Sequence, residues 1–284
     1  MPHQQRPLVI FSHGNSFPGG TYTQVLDGLR AQGSEVRAID RFGHDPRYPV
    51  TSNWPHLVQQ LADFVVQAAQ DHEGPLFLVG HSLGGFVSLM CAARFPALDG
   101  KPIGGVVLLD SPILGGWKAR ALAVAKHTQM VGHLSPGAVS RKRRHQWPDA
   151  DAALAHFQHK RAFARWHPAV LADYIALGTE DRAQPDGSTQ RVLRFDRDVE
   201  TAIYNTLPHN LDRLLRQHPL QCPAAFIGGA DSAEMKQVGM AMTRKVVRPD
   251  LHPERLRMVP GTHLFPMEYP TDTAQVVADI LRGL

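Results

Sequence analysis

Apolar and polar positions alternate along the chain in two rhythms. Residues 7–12 (Pro-Leu-Val-Ile-Phe-Ser) form a continuous apolar run, the pattern of a strand buried on both faces. Further strand-like stretches fall at residues 35–39, 76–80, 103–109, 224–229 and 256–259. Between them apolar positions recur at helical spacing. Residues 21–31 form one such helix, stopped by Gly33. Residues 54–70 form another, with Leu57, Leu61, Phe64, Val65 and Ala68 on one face and Asn53 placed to cap it. Residues 86–93, 233–246 and 271–281 complete the set. Strands alternating with helices at this spacing predict a parallel sheet with right-handed crossovers, an α/β fold.

The alternation stops between Ile113 and His218. Helical patterns at 117–131, 150–166, 199–206 and 210–217 surround a turn signal at Asp186-Gly187 and a short strand pattern at 190–195. A stretch this long is too large for a loop, so it reads as an inserted subdomain. The chain therefore divides into a first core part at 1–112, an insertion at 113–218 and a second core part at 219–284.

The third strand runs into Gly80-His81-Ser82-Leu83-Gly84, followed at once by the apolar helix from Phe86. Strand, tight turn and helix is the setting in which Gly-x-Ser-x-Gly forms a nucleophile elbow. The glycines give room where side chains would collide with the neighbouring strand or helix. The helix starts just behind Ser82, so its free N–H groups and dipole face any negative charge developing there. Serine alone is a poor nucleophile. It needs a base, and the base needs a carboxylate to fix its tautomer. The order Ser…Asp…His supplies both: Asp110 and Asp231 each follow a later strand, and His263 follows the last one.

Composition narrows the setting. The 284 residues carry a formal charge of +4, with no arginine-rich tail and no apolar stretch near membrane-spanning length, so neither a nucleic-acid nor a membrane partner is expected. Arg141-Lys142-Arg143-Arg144 reads as a solvated face of the insertion, and Gly19-Gly20 lacks the lysine of a phosphate loop. Two cysteines, Cys91 and Cys222, suggest neither a disulfide framework nor a metal site. With no signal-peptide pattern in residues 1–6, the expectation is a cytoplasmic protein with no cofactor and a small-molecule substrate.

Four segments together resemble the α/β-hydrolase superfamily, in its cap-bearing serine esterase form: His13-Gly14-Asn15, Gly80-His81-Ser82-Leu83-Gly84-Gly85, Gly228-Gly229-Ala230-Asp231, and the run from Gly261-Thr262-His263 to Pro270. The resemblance implies Ser82 as nucleophile, His263 as base and the Leu83 N–H as one oxyanion donor. The second donor would come from Asn15, with Ser16 the alternative. Removing one such donor typically raises the barrier by about 3 kcal/mol. His13 would hold that loop by hydrogen bonds, and His81 would be packed.

For the acid, the family's usual place is Asp231, and Gly228-Gly229 before it suggests a backbone cleared for close approach. Asp110 is the alternative, since some members carry the acid after the preceding strand. The family's full sheet has eight strands. Only residues 1–6 precede the strand entering His13-Gly14, so six strands, all parallel, are expected here. Ser82, where epoxide-opening relatives carry aspartate, implies acyl transfer to water from an ester, thioester, lactone or amide. The insertion's aromatics, Trp117, Trp147, Phe157, Phe163, Trp166 and Tyr174, are expected to wall the acyl pocket. A C–C bond hydrolase of a diketone-like compound and a non-catalytic small-molecule receptor carry the same motifs.

Overall fold

The computed structural model describes residues 5–116, 119, 140–141 and 143–284. Trp117, Lys142 and nearly all of the helix expected at 117–131 lie outside the described residues. Ten strands and eleven α-helices are numbered here among those described. The first half carries β1 (Leu8–Ser12), α1 (Thr23–Ala31), β2 (Glu35–Ala38), α2 (Pro55–Ala68), β3 (Leu76–His81), α3 (Leu83–Arg94), β4 (Ala97–Leu98) and β5 (Lys101–Leu109). The stretch before the next core strand carries β6 (Gln146–Trp147), α4 (Ala150–Gln158), α5 (Pro168–Gly178), β7 (Thr179–Ala183), β8 (Thr189–Leu193), α6 (Arg197–Asn205) and α7 (Leu211–Gln217). Then come β9 (Ala224–Gly229), α8 (Ala233–Val238), α9 (Ala241–Val247), β10 (Leu256–Val259), α10 (Phe265–Glu268) and α11 (Pro270–Gly283).

The main sheet runs β10-β9-β5-β3-β1-β2, and every one of these pairings is parallel. The six strands expected from the sequence are the six observed. The one addition is β4, a two-residue strand antiparallel to β5 that the pattern did not reveal. Residues 5–7 form no strand. β1, β3 and β9 are buried along their whole length, as unbroken apolar runs require. The sheet separates two apolar layers. Leu8, Ile10, Leu78 and Leu108 face α2 and α3, whereas Val9, Phe11, Val79 and Val107 face α1 and α11.

Several boundaries differ from the sequence reading for local reasons. Gly239, at φ +82°, breaks the expected helix 233–246 into α8 and α9. Asn53 does not cap α2; its side-chain oxygen accepts the His209 N–H at 2.9 Å and so ties the start of α2 to the chain before α7. Asp186-Gly187 does form the expected turn, with Gly187 at φ +81°, and it closes a β7–β8 hairpin to which β6 adds a third strand. Only β8 was legible, because β7 (Thr-Glu-Asp-Arg-Ala) is polar and largely exposed beyond its first residue.

The turn between β3 and α3 is the tightest point of the core. A Cβ on Gly80 would lie 2.3 Å from the Gly84 carbonyl, and one on Gly84 would lie 2.0 Å from the Ser12 oxygen. Both contacts are backbone, which a rotamer change cannot relieve. Gly84→Ala is therefore expected to destabilise the fold by about 1–3 kcal/mol, the usual range for overpacking. Urea unfolding reads this directly, and a Gly84→Ala protein as stable as the parent would contradict it.

Candidate active site

The nucleophile candidate sits where the sequence places it. Ser82 has φ +51° and ψ −113°, a strained conformation for a non-glycine residue, between the last residue of β3 and the first of α3. Its own N–H donates to the Leu109 carbonyl at 2.9 Å, which pins the tip of the elbow to the end of β5. His263, in the loop after β10, brings Nε2 to 3.0 Å from Ser82 Oγ. Its other ring nitrogen, Nδ1, donates to Asp110 Oδ2 at 2.6 Å.

The carboxylate on His263 is thus Asp110, not Asp231, and the preference drawn from the sequence is corrected here. Strand order gives the reason. β5, which leads into Asp110, lies directly beside β3, which leads into Ser82, while β9 lies one strand further out. Asp231 is exposed, and its Oδ2 accepts from Arg165 Nη1 at 3.1 Å. The glycine pair that favoured Asp231 serves the other residue. Gly229 donates its N–H to Asp110 Oδ1 at 2.8 Å, and a Cβ there would meet the Thr262 oxygen at 2.2 Å. The backbone is cleared for the histidine loop and for Asp110. Ser232, which the sequence reading missed, donates its Oγ to Asp110 Oδ2 at 2.6 Å while accepting the Met235 N–H as the cap of α8. Asp110 itself has φ +42° and is fully buried, a conformation Asp tolerates better than most residues.

The loop after β1 makes a turn in which the Phe17 N–H donates to the Gly14 carbonyl at 3.3 Å. Ser16, at φ +79°, takes the third position, as in a type II turn. Among the described residues, neither the Leu83 N–H nor the Asn15 N–H has an acceptor, so both remain available to an incoming oxygen. The Ser16 hydroxyl is committed elsewhere, to Glu200 Oε1 at 2.5 Å.

Two buried histidines frame this loop, and each is held in one tautomer. His13 Nε2 accepts the Phe42 N–H at 2.9 Å, so its proton is on Nδ1, facing the Gly14 carbonyl at 2.7 Å. The Gly14 N–H donates to the Tyr22 hydroxyl at 2.9 Å, which leaves the Tyr22 proton for His81 Nδ1 at 2.7 Å. His81 Nε2–H then donates to the His263 carbonyl at 2.8 Å. A continuous chain of hydrogen bonds therefore runs from the loop after β1, behind Ser82, to the backbone of His263. A Cβ at Gly14 would sit 2.8 Å from His81 Nδ1 and 2.9 Å from the Tyr22 oxygen, so only glycine leaves room for it. His81 is packed, as expected, but its partnership with Tyr22 and the His263 carbonyl is not visible in the sequence. On the far side of His263, Glu268 accepts the Thr262 N–H at 3.0 Å and the Thr262 hydroxyl at 2.6 Å, fixing the residue before it.

Burial pushes His13 down to about 4 and His81 down to about 3. In the unfolded chain both titrate near 6.5. As pH falls through 6.5 the unfolded chain takes up protons that the folded protein refuses, so this stabilisation is complete above about 7 and declines on acidification. Once below 6.5, each imidazole costs about 1.4 kcal/mol per pH unit, until its folded-state value is reached. Urea midpoints should hold above about pH 7 and fall from there to pH 5, and the ring proton signals of His13 and His81 should not titrate in that interval. Titration of either ring near pH 6.5 in folded protein would refute the assignment.

Among the described residues no group of histidine, cysteine or carboxylate side chains could hold a metal ion, and no helix is long and apolar enough to cross a membrane. Both cysteines are free, and burial pushes the Cys91 thiol up to about 12 and that of Cys222 up to about 11.

Comparison with known proteins bears on the family. Rat monoglyceride lipase is 31% identical over 113 residues, which is 38% of this chain and 36% of the lipase. The monoacylglycerol lipase of Mycolicibacterium smegmatis is 27% identical over 136 residues, 46% of this chain and 47% of that enzyme. The chain thus spans between a third and a half of the length of these curated relatives. Among solved structures, the peroxisomal alpha-beta-hydrolase Lpx1 of Saccharomyces cerevisiae superposes with a TM-score of 0.72 at 15% identity, covering 98% of this chain and 77% of its own. E-2-(acetamidomethylene)succinate hydrolase gives a TM-score of 0.68 at 20% identity over 97% of this chain and 91% of its own. A profile of the alpha/beta hydrolase family matches residues 9–276, nearly the whole sequence, and the chain belongs to that family.

Proposed function

We propose that the protein is a serine hydrolase that cleaves small to medium carboxylic esters through an acyl-enzyme on Ser82. The observation that carries this reading is the alignment of Ser82 Oγ, His263 and Asp110 at 3.0 Å and 2.6 Å. In this reading His263 Nε2 takes the hydroxyl proton as Oγ attacks the ester carbonyl. Asp110 holds the imidazole in the Nδ1–H tautomer and stabilises the imidazolium that forms. The carbonyl oxygen, now negative, is received by the N–H groups of Leu83 and Asn15. The C–O bond breaks, and the departing alcohol takes its proton from His263. A water molecule activated by the same histidine then releases the acid.

The acyl side of the site is read from the aromatic cluster beside the loop after β1. Phe17 meets Trp166 edge-on at 5.4 Å and Tyr174 at 5.9 Å between ring centroids. Phe157, Phe163 and Trp147 extend the same cluster behind them. An apolar wall of this kind suits short to medium acyl or aryl chains better than charged peptides. The named lipase activity of the relatives supports an ester in place of a C–C bond, and a monoacylglycerol is one ester to include in a screen.

A fluorophosphonate probe should label the wild-type protein and not Ser82→Ala, and p-nitrophenyl acetate and butyrate should be hydrolysed. Folded protein that neither reacts with the probe nor turns over esters would favour a receptor. Turnover of diketones without turnover of esters would favour C–C hydrolysis. Asp110→Asn should lower kcat by several orders of magnitude, near the 10⁴-fold typical of the equivalent triad change. Asp231→Asn, which loses one exposed ion pair, should change kcat little. The reverse ranking in two folded variants would refute the assignment of Asp110.

A further inference from the structure

The loop that carries Asn15 is gripped from a second side, by helix α6. Glu200 is buried at 3% exposure, and four groups converge on it. Its backbone oxygen accepts from Asn15 Nδ2 at 3.1 Å. Its carboxylate Oε1 accepts from Ser16 Oγ at 2.5 Å and from Ser140 Oγ at 3.0 Å. Arg143 Nη2 lies 3.0 Å from Oε2, at an angle unsuited to a hydrogen bond, so this pair is held by charge. One turn along the same face, at i+4, the Tyr204 phenol lies beside Ser16 and Asn15, and burial pushes it up to about 12. Ser16 needs such support. It holds φ +79° without being glycine, and a conformation of that kind persists only where its surroundings over-determine it.

We propose that Glu200 is a positioning residue for the loop after β1: through Ser16 and Asn15 it sets the direction of the Asn15 N–H, so the stretch between β5 and β9 takes part in stabilising the transition state as well as in contacting substrate. The inference rests on the serine-hydrolase reading above. Its physical core is that a carboxylate on one body fixes a strained turn on the other, and the free donor lies within that turn. An arm's-length wall for the acyl chain needs no such bond. It would alter how tightly different esters bind, whereas a misdirected N–H lowers the rate for every ester alike.

Two variants separate the contact from the fold. Ser16→Ala removes the hydroxyl and leaves the Glu200–Arg143 pair in place. Glu200→Gln keeps the size of the side chain and removes its charge. Each is checked by thermal unfolding, then assayed with p-nitrophenyl acetate and butyrate and with a trifluoromethyl ketone, whose hemiketal oxygen mimics the oxyanion. Both should lower kcat by about 10- to 100-fold, to the same extent for the two esters and with KM nearly unchanged. The ketone's inhibition constant should rise by the same factor. Because the two residues act through one bond, the double variant should be little worse than the poorer single one. Folded variants with wild-type kcat, or with changes confined to KM or chain-length preference, overturn the inference while the wild type remains an active esterase. A wild type inert towards both esters and the ketone overturns the serine-hydrolase reading itself, and this inference with it.

Discussion

The Asp110 carboxylate accepts from Gly229 N–H, from Ser232 Oγ and from His263 Nδ1–H, so three pieces of chain are fixed by one buried charge. A fully buried carboxylate is costly unless its oxygens are paired, and here both are. The pairing has a geometric consequence. His263 belongs to a loop after the edge strand β10, and the bond to Asp110 holds its ring inward, past β9, within reach of Ser82. Ser232, at the start of α8, holds the carboxylate from the side opposite β3. Losing the Ser232 hydroxyl would remove one of the two donors on Oδ2, the oxygen that orients the imidazole.

The same economy appears in the loop after β1. Its glycine admits the Tyr22–His81 chain, its histidine is tied to the Phe42 backbone, and its serine is tied to Glu200. The loop is therefore held by the core on one side and by α6 on the other, and the Asn15 N–H lies between those holds. A donor that acts on developing charge is effective because its orientation is fixed before the reaction begins. The hydrogen-bond chain through His81 ends on the backbone of His263, so the loops of His263 and Asn15 share a frame that passes directly behind Ser82. The second attachment of the base loop is to the stretch between β5 and β9. Arg165 bridges Asp231 and Glu268, and the His167 N–H donates to the Met267 carbonyl at 2.9 Å. Asp231 thus has a partner of its own in Arg165.

The sequence by itself determined the six parallel strands, the elbow at Ser82 and the histidine at 263. Each of these is a local signal: an unbroken apolar run, a glycine spacing, a position after the last strand. It also confined the acid to Asp110 or Asp231, but it could not rank them correctly. That ranking depends on which strand lies next to β3, and strand order in a parallel sheet is set by crossovers and packing, not by neighbours in sequence. Only the tertiary structure could show that β5 intervenes between β3 and β9, and that the space at Gly229 is filled by the Thr262 backbone. Tyr22, Glu200 and Ser232 escaped for the same reason. A tyrosine in a short helical turn, a glutamate on an amphipathic helix and a serine at a helix start each have an ordinary local explanation. Their other role exists only because the fold brings them against residues 14, 16 and 110, across separations of 8, 184 and 122 positions along the chain.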